Sequence, residues 1–168
     1  MRALSIRPAT IRDLRALVRL EEASFPEPWN ENLLRSEIGA GPSRRYTVAV
    51  LGRKIVGCLG LMTVDDEAHV NTLSSDPAHR GQGIATRLLL DGIDACLADG
   101  IRHLTLEVAA SNMAAQGLYR KFGLAPVGVR RGYYAGGEDG LVMWVYDLDR
   151  PDEIRRREGI ARSLPSGC

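Results

Sequence analysis

Asp76-Pro77-Ala78-His79-Arg80-Gly81-Gln82-Gly83-Ile84-Ala85-Thr86 is the stretch on which the reading of this chain turns. Residues 67–75 before it read as a strand, closed by Asp76-Pro77. Residues 86–99 after it place Leu89, Ile93, Cys96 and Leu97 at helical spacing, with Gly100 at the C-terminal cap. A strand-turn-helix junction whose turn carries little side chain exposes backbone N–H groups at the positive end of the helix dipole. That arrangement holds phosphate oxygens. Arg80 adds charge, and Gly83 and Ala85 let the backbone come close. A Walker loop requires Gly-Lys-Ser/Thr, which the sequence lacks. A dinucleotide loop requires G-x-G-x-x-G, and Thr86 stands where its last glycine belongs. The pattern left is Arg-x-x-Gly-x-Ala, and a plain glycine-rich turn is its alternative while the loop is taken alone.

Working outward, residues 3–7 read as a first strand ended by Pro8. Thr10 with Asp13 resembles a capping box, and Ile11, Leu14, Leu17 and Val18 make the buried stripe of a helix fading near Ser24. Phe25-Pro26-Glu27-Pro28-Trp29 cannot continue that helix and suits a loop presenting rings. Asn30 caps a short helix through Leu33, Leu34 and Ile38, stopped by Gly39 and Gly41-Pro42. Residues 46–51 and 55–64 flank Gly52-Arg53-Lys54 as a hairpin. Residues 102–109 form a strand with Leu104, Leu106 and Val108 on one face and Thr105, Glu107 and Ala109 on the other. Asn112 caps a helix to Phe122, ended by Gly123, and the last strands fall near 124–130 and 141–148. The order β-α-α-β-β-β-α-β-α-β-β gives an α/β (α+β) domain over residues 1–149: a mixed sheet covered by helices, without internal repeat. Residues 150–168 differ. They are polar, with Arg155-Arg156-Arg157 and weak helical potential around 154–164, and read as a basic C-terminal extension.

The chain has 168 residues, 45% apolar and 26% charged, as expected of one globular domain. Its 22 basic and 21 acidic residues leave a net charge of +1, which gives no reason to expect a nucleic-acid partner. No apolar run approaches the roughly 20 residues of a spanning helix, so no membrane partner is expected. The opening Met1-Arg2-Ala3-Leu4-Ser5-Ile6-Arg7-Pro8 lacks a signal-peptide apolar region, and a cytoplasmic location follows as an expectation. Cys58, Cys96 and Cys168 show no CxxC pair and no histidine at ligand spacing. Two are expected as small core residues and the third as a loose terminal thiol, with no metal site.

Four motifs in order carry a resemblance covering residues 4–148. Arg80, Gly83 and Ala85 fit the pyrophosphate signature of the GNAT acetyltransferases. Leu106-Glu107-Val108-Ala109-Ala110-Ser111-Asn112-Met113-Ala114-Ala115, running on to Tyr119 and Phe122-Gly123, is similar to the RimI branch of that superfamily, which acetylates the N-terminal alanine of a small-subunit ribosomal protein. Phe25-Pro26-Glu27-Pro28-Trp29 resembles the same branch. Arg131-Gly132-Tyr133-Tyr134 with Gly137-Glu138-Asp139 resembles protein N-terminal acetyltransferases more widely. The resemblance implies the GNAT fold, a mixed, mostly antiparallel sheet of about seven strands flanked by about four helices. It implies acetyl-CoA as cosubstrate, with Leu73, Ser74 and Ser75 on the strand that pairs with the pantetheine arm. It places Arg80, Gly81, Gln82, Gly83, Ile84, Ala85 and Thr86 at the pyrophosphate, and Asn112 on the cofactor. It makes Glu107 the general base, Tyr119 the general acid, and a protein N-terminus, ribosomal in this branch, the substrate. Ser74-Ser75 departs from the usual small residue and valine, and residues 150–168 have no counterpart.

The chemistry asks for such groups. An amine attacks a thioester carbonyl only when neutral; about a tenth of a protein α-amino group is free at pH 7, against well under one in a thousand for lysine. A placed carboxylate that removes the proton contributes on the order of 10²–10⁴-fold. Glu107 lies on the polar face of its strand, where an ordinary solvent-facing glutamate is the alternative. The leaving thiol has a pKa near 8.5 and a phenol near 10, so full proton transfer from Tyr119 is uphill by roughly 2 kcal/mol. A hydrogen bond to the developing thiolate is therefore the better role, with a purely packed tyrosine as the alternative. His69, on the face of Leu73 by period two, is a second base candidate; related N-terminal acetyltransferases place a catalytic group near it. Phe25, Trp29, Tyr133 and Tyr134 are the expected substrate residues, walls of a slot for a peptide N-terminus with a small first residue. The reading is direct attack in a ternary complex. Lysine or small-amine acetylation is the alternative enzyme, and an inactive CoA sensor or a basic-tail RNA adaptor the alternative classes.

Overall fold

Apolar alternation in the strands and i, i+3, i+4 spacing in the helices produce the architecture seen in a computed structural model, which describes residues 3–166. In chain order these are β1 (Leu4–Pro8), α1 (Leu14–Ser24), α2 (Glu31–Ile38), β2 (Arg44–Leu51), β3 (Lys54–Val64) and β4 (Glu67–Ser75). There follow α3 (Ile84–Ala98), β5 (His103–Ala109), α4 (Met113–Lys121), β6 (Ala125–Arg130), β7 (Gly140–Val145) and α5 (Pro151–Ser163). The strands make one seven-stranded mixed sheet in the order β1-β2-β3-β4-β5-β7-β6. β1–β2, β2–β3, β5–β7 and β6–β7 are antiparallel, and β4 runs parallel to β5 over Glu67–Val70 and His103–Leu106. A mixed, mostly antiparallel sheet of seven strands flanked by helices is the architecture expected from the sequence.

The chain divides into two compact units. The first holds residues 3–62, 71–94 and 164–166. Its core joins Leu14, Leu17 and Leu20 of α1 and Leu34 of α2 to Tyr46, Val48 and Cys58, with Trp29 packed against them. Asn30 caps α2 as expected, its Oδ1 accepting the Leu33 N–H at 2.9 Å. The Thr10 N–H donates to Asp13 Oδ2 at 2.8 Å, the reciprocal half of the capping box. The box opens a short 3-10 turn before α1. Ile11, expected inward, is 51% exposed, while Leu14 and Leu17 are buried as expected and Leu20 and Glu21 continue their stripe. On the other side of the sheet, α3 lies so close to β3 that a Cβ on Gly57 would stand 2.7 Å from Ile84 Cγ2.

The second unit holds Thr63–Val70 and Ala95–Ser163. Leu104, Leu106 and Val108 of β5 are buried, with Tyr119 and Phe122 from α4 and its C-terminal end and with Met143 and Val145 from β7. The final segment forms α5, where the sequence showed little helical potential. Pro151 in the first turn, Asp152 and Glu153 behind it and Arg162 in the last turn suit both ends of a helix dipole. α5 docks through polar side chains. Glu153 and Arg157 are buried, the Glu153 carboxylate lies against Gly123, and Arg157 Nη2 donates to the Leu148 carbonyl at 2.7 Å. Hydrophobic periodicity cannot detect such docking, because the stripe it looks for is missing. Among the described residues no helix is long and apolar enough to cross a membrane, and Cys168 lies outside them.

Candidate active site

The first unit carries the phosphate-type loop. The Asp76 N–H donates to the Val56 carbonyl at 2.8 Å, tying the end of β4 to β3. Asp76 Oδ1 then accepts the Ala78 N–H at 3.0 Å, fixing the turn. Gly81 and Gly83 take φ of +76° and +75°, a region that a side chain makes costly. Space around the missing Cβ of Gly81 is open to 4 Å. The one carboxylate of the turn, Asp76, is neutralised by Lys54 Nζ at 2.6 Å and faces His79 at 3.3 Å, so it does not oppose an anion. Arg80 is exposed, Gln82, Gly83, Ala85 and Thr86 are half-buried, and Ile84 sends its side chain into the core. These features fit a pyrophosphate held by backbone N–H groups and Arg80.

Along β4, Leu73 and Ser75 are half-buried and Ser74 is buried on the opposite face. The Ser74 hydroxyl lies 3.1 Å from the Cys58 thiol, which lies 3.4 Å from the Tyr46 hydroxyl. Burial pushes the Cys58 thiol up to about 11. In the same unit Glu21, 1% exposed, accepts from Thr72 Oγ1 at 2.8 Å and from the Trp29 N–H at 3.4 Å. The 25–29 loop is thereby pinned at both ends, since the Phe25 N–H also donates to the Glu21 carbonyl at 3.0 Å. Burial raises the Glu21 carboxyl above its ordinary value, with the Thr72 and Trp29 donors partly opposing it. Phe25 and Trp29 are half-buried, not displayed in full.

The second unit brings Glu107 and His69 together. The period-two alternation of β5 and β4 turns both to one face, where His69 Nε2 and Glu107 Oε2 lie 2.5 Å apart. The Glu107 side chain is only 10% exposed, and its other oxygen lies 3.5 Å from Arg130 Nη2 on β6. β5 sits between β4 and β7, so Glu107 occupies an interior strand. A carboxylate held between an imidazole and a guanidinium is fixed in place and can pass a proton to or from the ring.

Tyr119 is buried in α4, and burial pushes its phenol well above the ordinary value. Loss of its proton is therefore harder than in water, which favours donation of a hydrogen bond over transfer. Asn112 is exposed, and its Oδ1 caps α4 by accepting the Ala115 N–H at 3.1 Å. Tyr133 and Tyr134 meet edge to face at 5.0 Å above Gly140, where a Cβ would come within 3.4 Å of both. Arg130 covers the Tyr133 ring at 5.2 Å. Burial pushes the Tyr134 phenol up to about 12, with Tyr133, Glu107 and Glu138 adding to it. The Gly137-Glu138-Asp139 stretch explains the loop. Asp139 Oδ1 accepts the Gly132 N–H at 2.9 Å, and Glu138 Oε1 accepts the Ser111 N–H at 2.8 Å.

Sequence reasoning missed Glu21, Arg130 and the structural use of Glu138. For Arg130 a signal existed: it pairs with Gly140, two residues from the Val142 that pairs with Glu107, but only once the β6–β7 register is known. Glu21, in the helical run beside Leu17 and Leu20, carries no sequence mark of burial.

The sequence matches the Acetyltransferase (GNAT) family over residues 14–124. It is 35% identical over 147 residues to the N-alpha-acetyltransferase RimI of Mycobacterium tuberculosis, covering 83% of this chain and 90% of that protein. It is 34% identical over 136 residues to the [ribosomal protein bS18]-alanine N-acetyltransferase of Escherichia coli K12, covering 78% and 89%. The crystal structure of the ribosomal-protein-S18-alanine N-acetyltransferase from Escherichia coli superposes with a TM-score of 0.80 at 30% identity, covering 86% of this chain and 94% of that one.

Proposed function

The chain belongs to the GNAT acetyltransferase family and is an acetyl-CoA-dependent N-acetyltransferase, and from that premise we propose that its acceptor is a protein N-terminal α-amino group, that of the alanine-starting ribosomal protein bS18. The observation that carries the acceptor chemistry is the Glu107–His69 contact at 2.5 Å on an interior strand. The acceptor name is supported by relatives about one-third identical over most of both chains.

Bound acetyl-CoA supplies an acetyl group already activated as a thioester. Arg80 and the N–H groups of Gly81 to Thr86 hold its pyrophosphate, and the backbone of Leu73 to Ser75 aligns its arm. Glu107 removes the ammonium proton of the substrate, and His69 shares that proton across the short contact. The freed amine nitrogen bonds to the acetyl carbon as the carbon–sulfur bond breaks, and the second proton that the nitrogen sheds passes through solvent to the departing thiolate, giving the amide and the CoA thiol. Tyr119 donates a hydrogen bond to the departing sulfur without surrendering its proton, as its burial dictates. Tyr134 stays neutral at physiological pH and keeps its hydroxyl as a donor for the first peptide bond. Arg130 holds Glu107 in register and screens its charge. Cytoplasmic residence follows for an enzyme that modifies a ribosomal protein.

The test is a library of peptides differing in their first residue, incubated with enzyme and acetyl-CoA and read by mass. Alanine-starting peptides, foremost one with the bS18 N-terminus, are expected to react fastest. Equal acetylation of N-blocked lysine peptides and free alanine termini overturns the reading in favour of lysine or small-amine acetylation.

A further inference from the structure

We propose that Arg87 is a further phosphate-binding residue of the cofactor loop, held in reserve by the segment after α5, Leu164-Pro165, which competes with acetyl-CoA for that loop. The inference rests on the assignment of the pyrophosphate to Arg80–Thr86. Arg87 stands in the first turn of α3, its backbone N–H bonded to the Gly83 carbonyl at 2.9 Å. Its Nη2 donates to the Pro165 carbonyl at 2.6 Å, and its Nε is buried without a hydrogen-bond partner. Among the described residues no carboxylate pairs with it. A guanidinium has five N–H donors and a full charge, and one neutral carbonyl satisfies little of that.

The second observation is at Gly83. A Cβ placed there would lie 2.7 Å from Leu164 Cδ2 and 3.8 Å from Pro165 Cδ. The close approach that the glycine permits is thus made by the chain's own C-terminal segment. An isobutyl side chain offers nothing to the N–H groups of the loop, whereas a phosphate satisfies them and the Arg87 fork together. Anion binding therefore displaces Leu164-Pro165 and frees Arg87 in the same event. Residues 150–168 had no counterpart in the family resemblance, so the device is a feature of this chain's own C-terminal segment.

Calorimetric Kd values for CoA at fixed salt test this with the full chain. Leu164→Ala is expected to tighten binding about threefold or more, by weakening the competitor. Arg87→Gln is expected to weaken binding about tenfold or more, although it also loosens the segment. In the native chain, saturating CoA is expected to speed hydrogen exchange at the Leu164 and Ser166 amides. Unchanged or weaker binding by Leu164→Ala, unchanged or tighter binding by Arg87→Gln, or unchanged or slower exchange overturns the proposal. Arg80→Gln separates the two levels. If it leaves Kd unaltered, the pyrophosphate assignment itself has failed; if it weakens binding while the other tests fail, only the Arg87 inference falls.

Discussion

Gly57→Ala presses on the cofactor elements from behind, without touching a candidate catalytic group. The new Cβ would stand 2.7 Å from Ile84 Cγ2, 2.9 Å from the Ser74 carbonyl oxygen and 3.1 Å from Leu88 Cδ1. Ordinary contact begins at 3.4 Å, so Ile84 must retreat by about 0.7 Å and the β4 backbone by about 0.5 Å. The isoleucine can re-rotamer, but the carbonyl belongs to a strand and cannot. Overpacking of this kind costs about 1–3 kcal/mol. For a chain of this length each kcal/mol lowers the melting midpoint by about 2–4 °C, giving a fall of about 2–12 °C. Ile84 opens α3 at the phosphate-type loop and Ser74 lies on the strand assigned to the pantetheine arm, so the CoA Kd should also rise about threefold or more. Thermal melts and calorimetry on native, Gly57→Ala and Gly117→Ala proteins read both effects. Gly117 has nothing within 4 Å of its Cβ position and lies inside α4, so its alanine variant should be neutral or slightly stabilising and bind CoA normally. A Gly57→Ala protein that melts within about 1 °C of native and binds CoA equally would refute the claim that β3 positions the loop by close approach.

Glu107→Gln should lower kcat by about 10²-fold with cofactor affinity nearly intact, the deficit shrinking as pH rises and more acceptor amine is neutral; a pH-independent deficit would count against proton removal. Tyr134→Ala should raise KM for an alanine-starting peptide more than KM for acetyl-CoA, whereas equal drift of both with a lower melting point would mean simple packing. Glu21 has a folded pKa raised by burial, so the folded state holds more protons, and its contribution to stability declines as pH climbs from the ordinary 4.5 through that raised value. Glu21→Gln keeps one acceptor oxygen, enough for the shorter bond from Thr72, and should flatten that slope, while Glu21→Ala should destabilise at every pH; an unchanged slope in the glutamine variant would remove Glu21 as its source.

Local chemistry was legible before any coordinates. The Asn30 and Asn112 caps, the alternation of β5 and the strand-turn-helix at Arg80 each depend on residues within a few positions of one another, and the structure has all of them where the sequence put them. Ile11 went wrong because it stands in the 3-10 turn ahead of α1 and not in the helix, whose own stripe of Leu14 and Leu17 is buried as the spacing predicts. α5 went unseen because it docks by a buried arginine and glutamate instead of an apolar face. Glu21, Arg130 and Arg87 draw their surroundings from segments as far as 78 residues away in sequence, so their partners exist only after the fold.

Cys58 bears on how the protein withstands its own product. Every acetyl transfer liberates the free thiol of CoA, a reagent for mixed disulfides wherever a protein thiolate is exposed under oxidising conditions. Cys58 lies at 0% exposure between the Tyr46 and Ser74 hydroxyls, and burial pushes its thiol up to about 11, which keeps it protonated at pH 7. Cys96 is likewise buried. Neither offers a sulfur for exchange, so turnover in the presence of oxidised CoA leaves the strand beside the cofactor loop chemically unchanged.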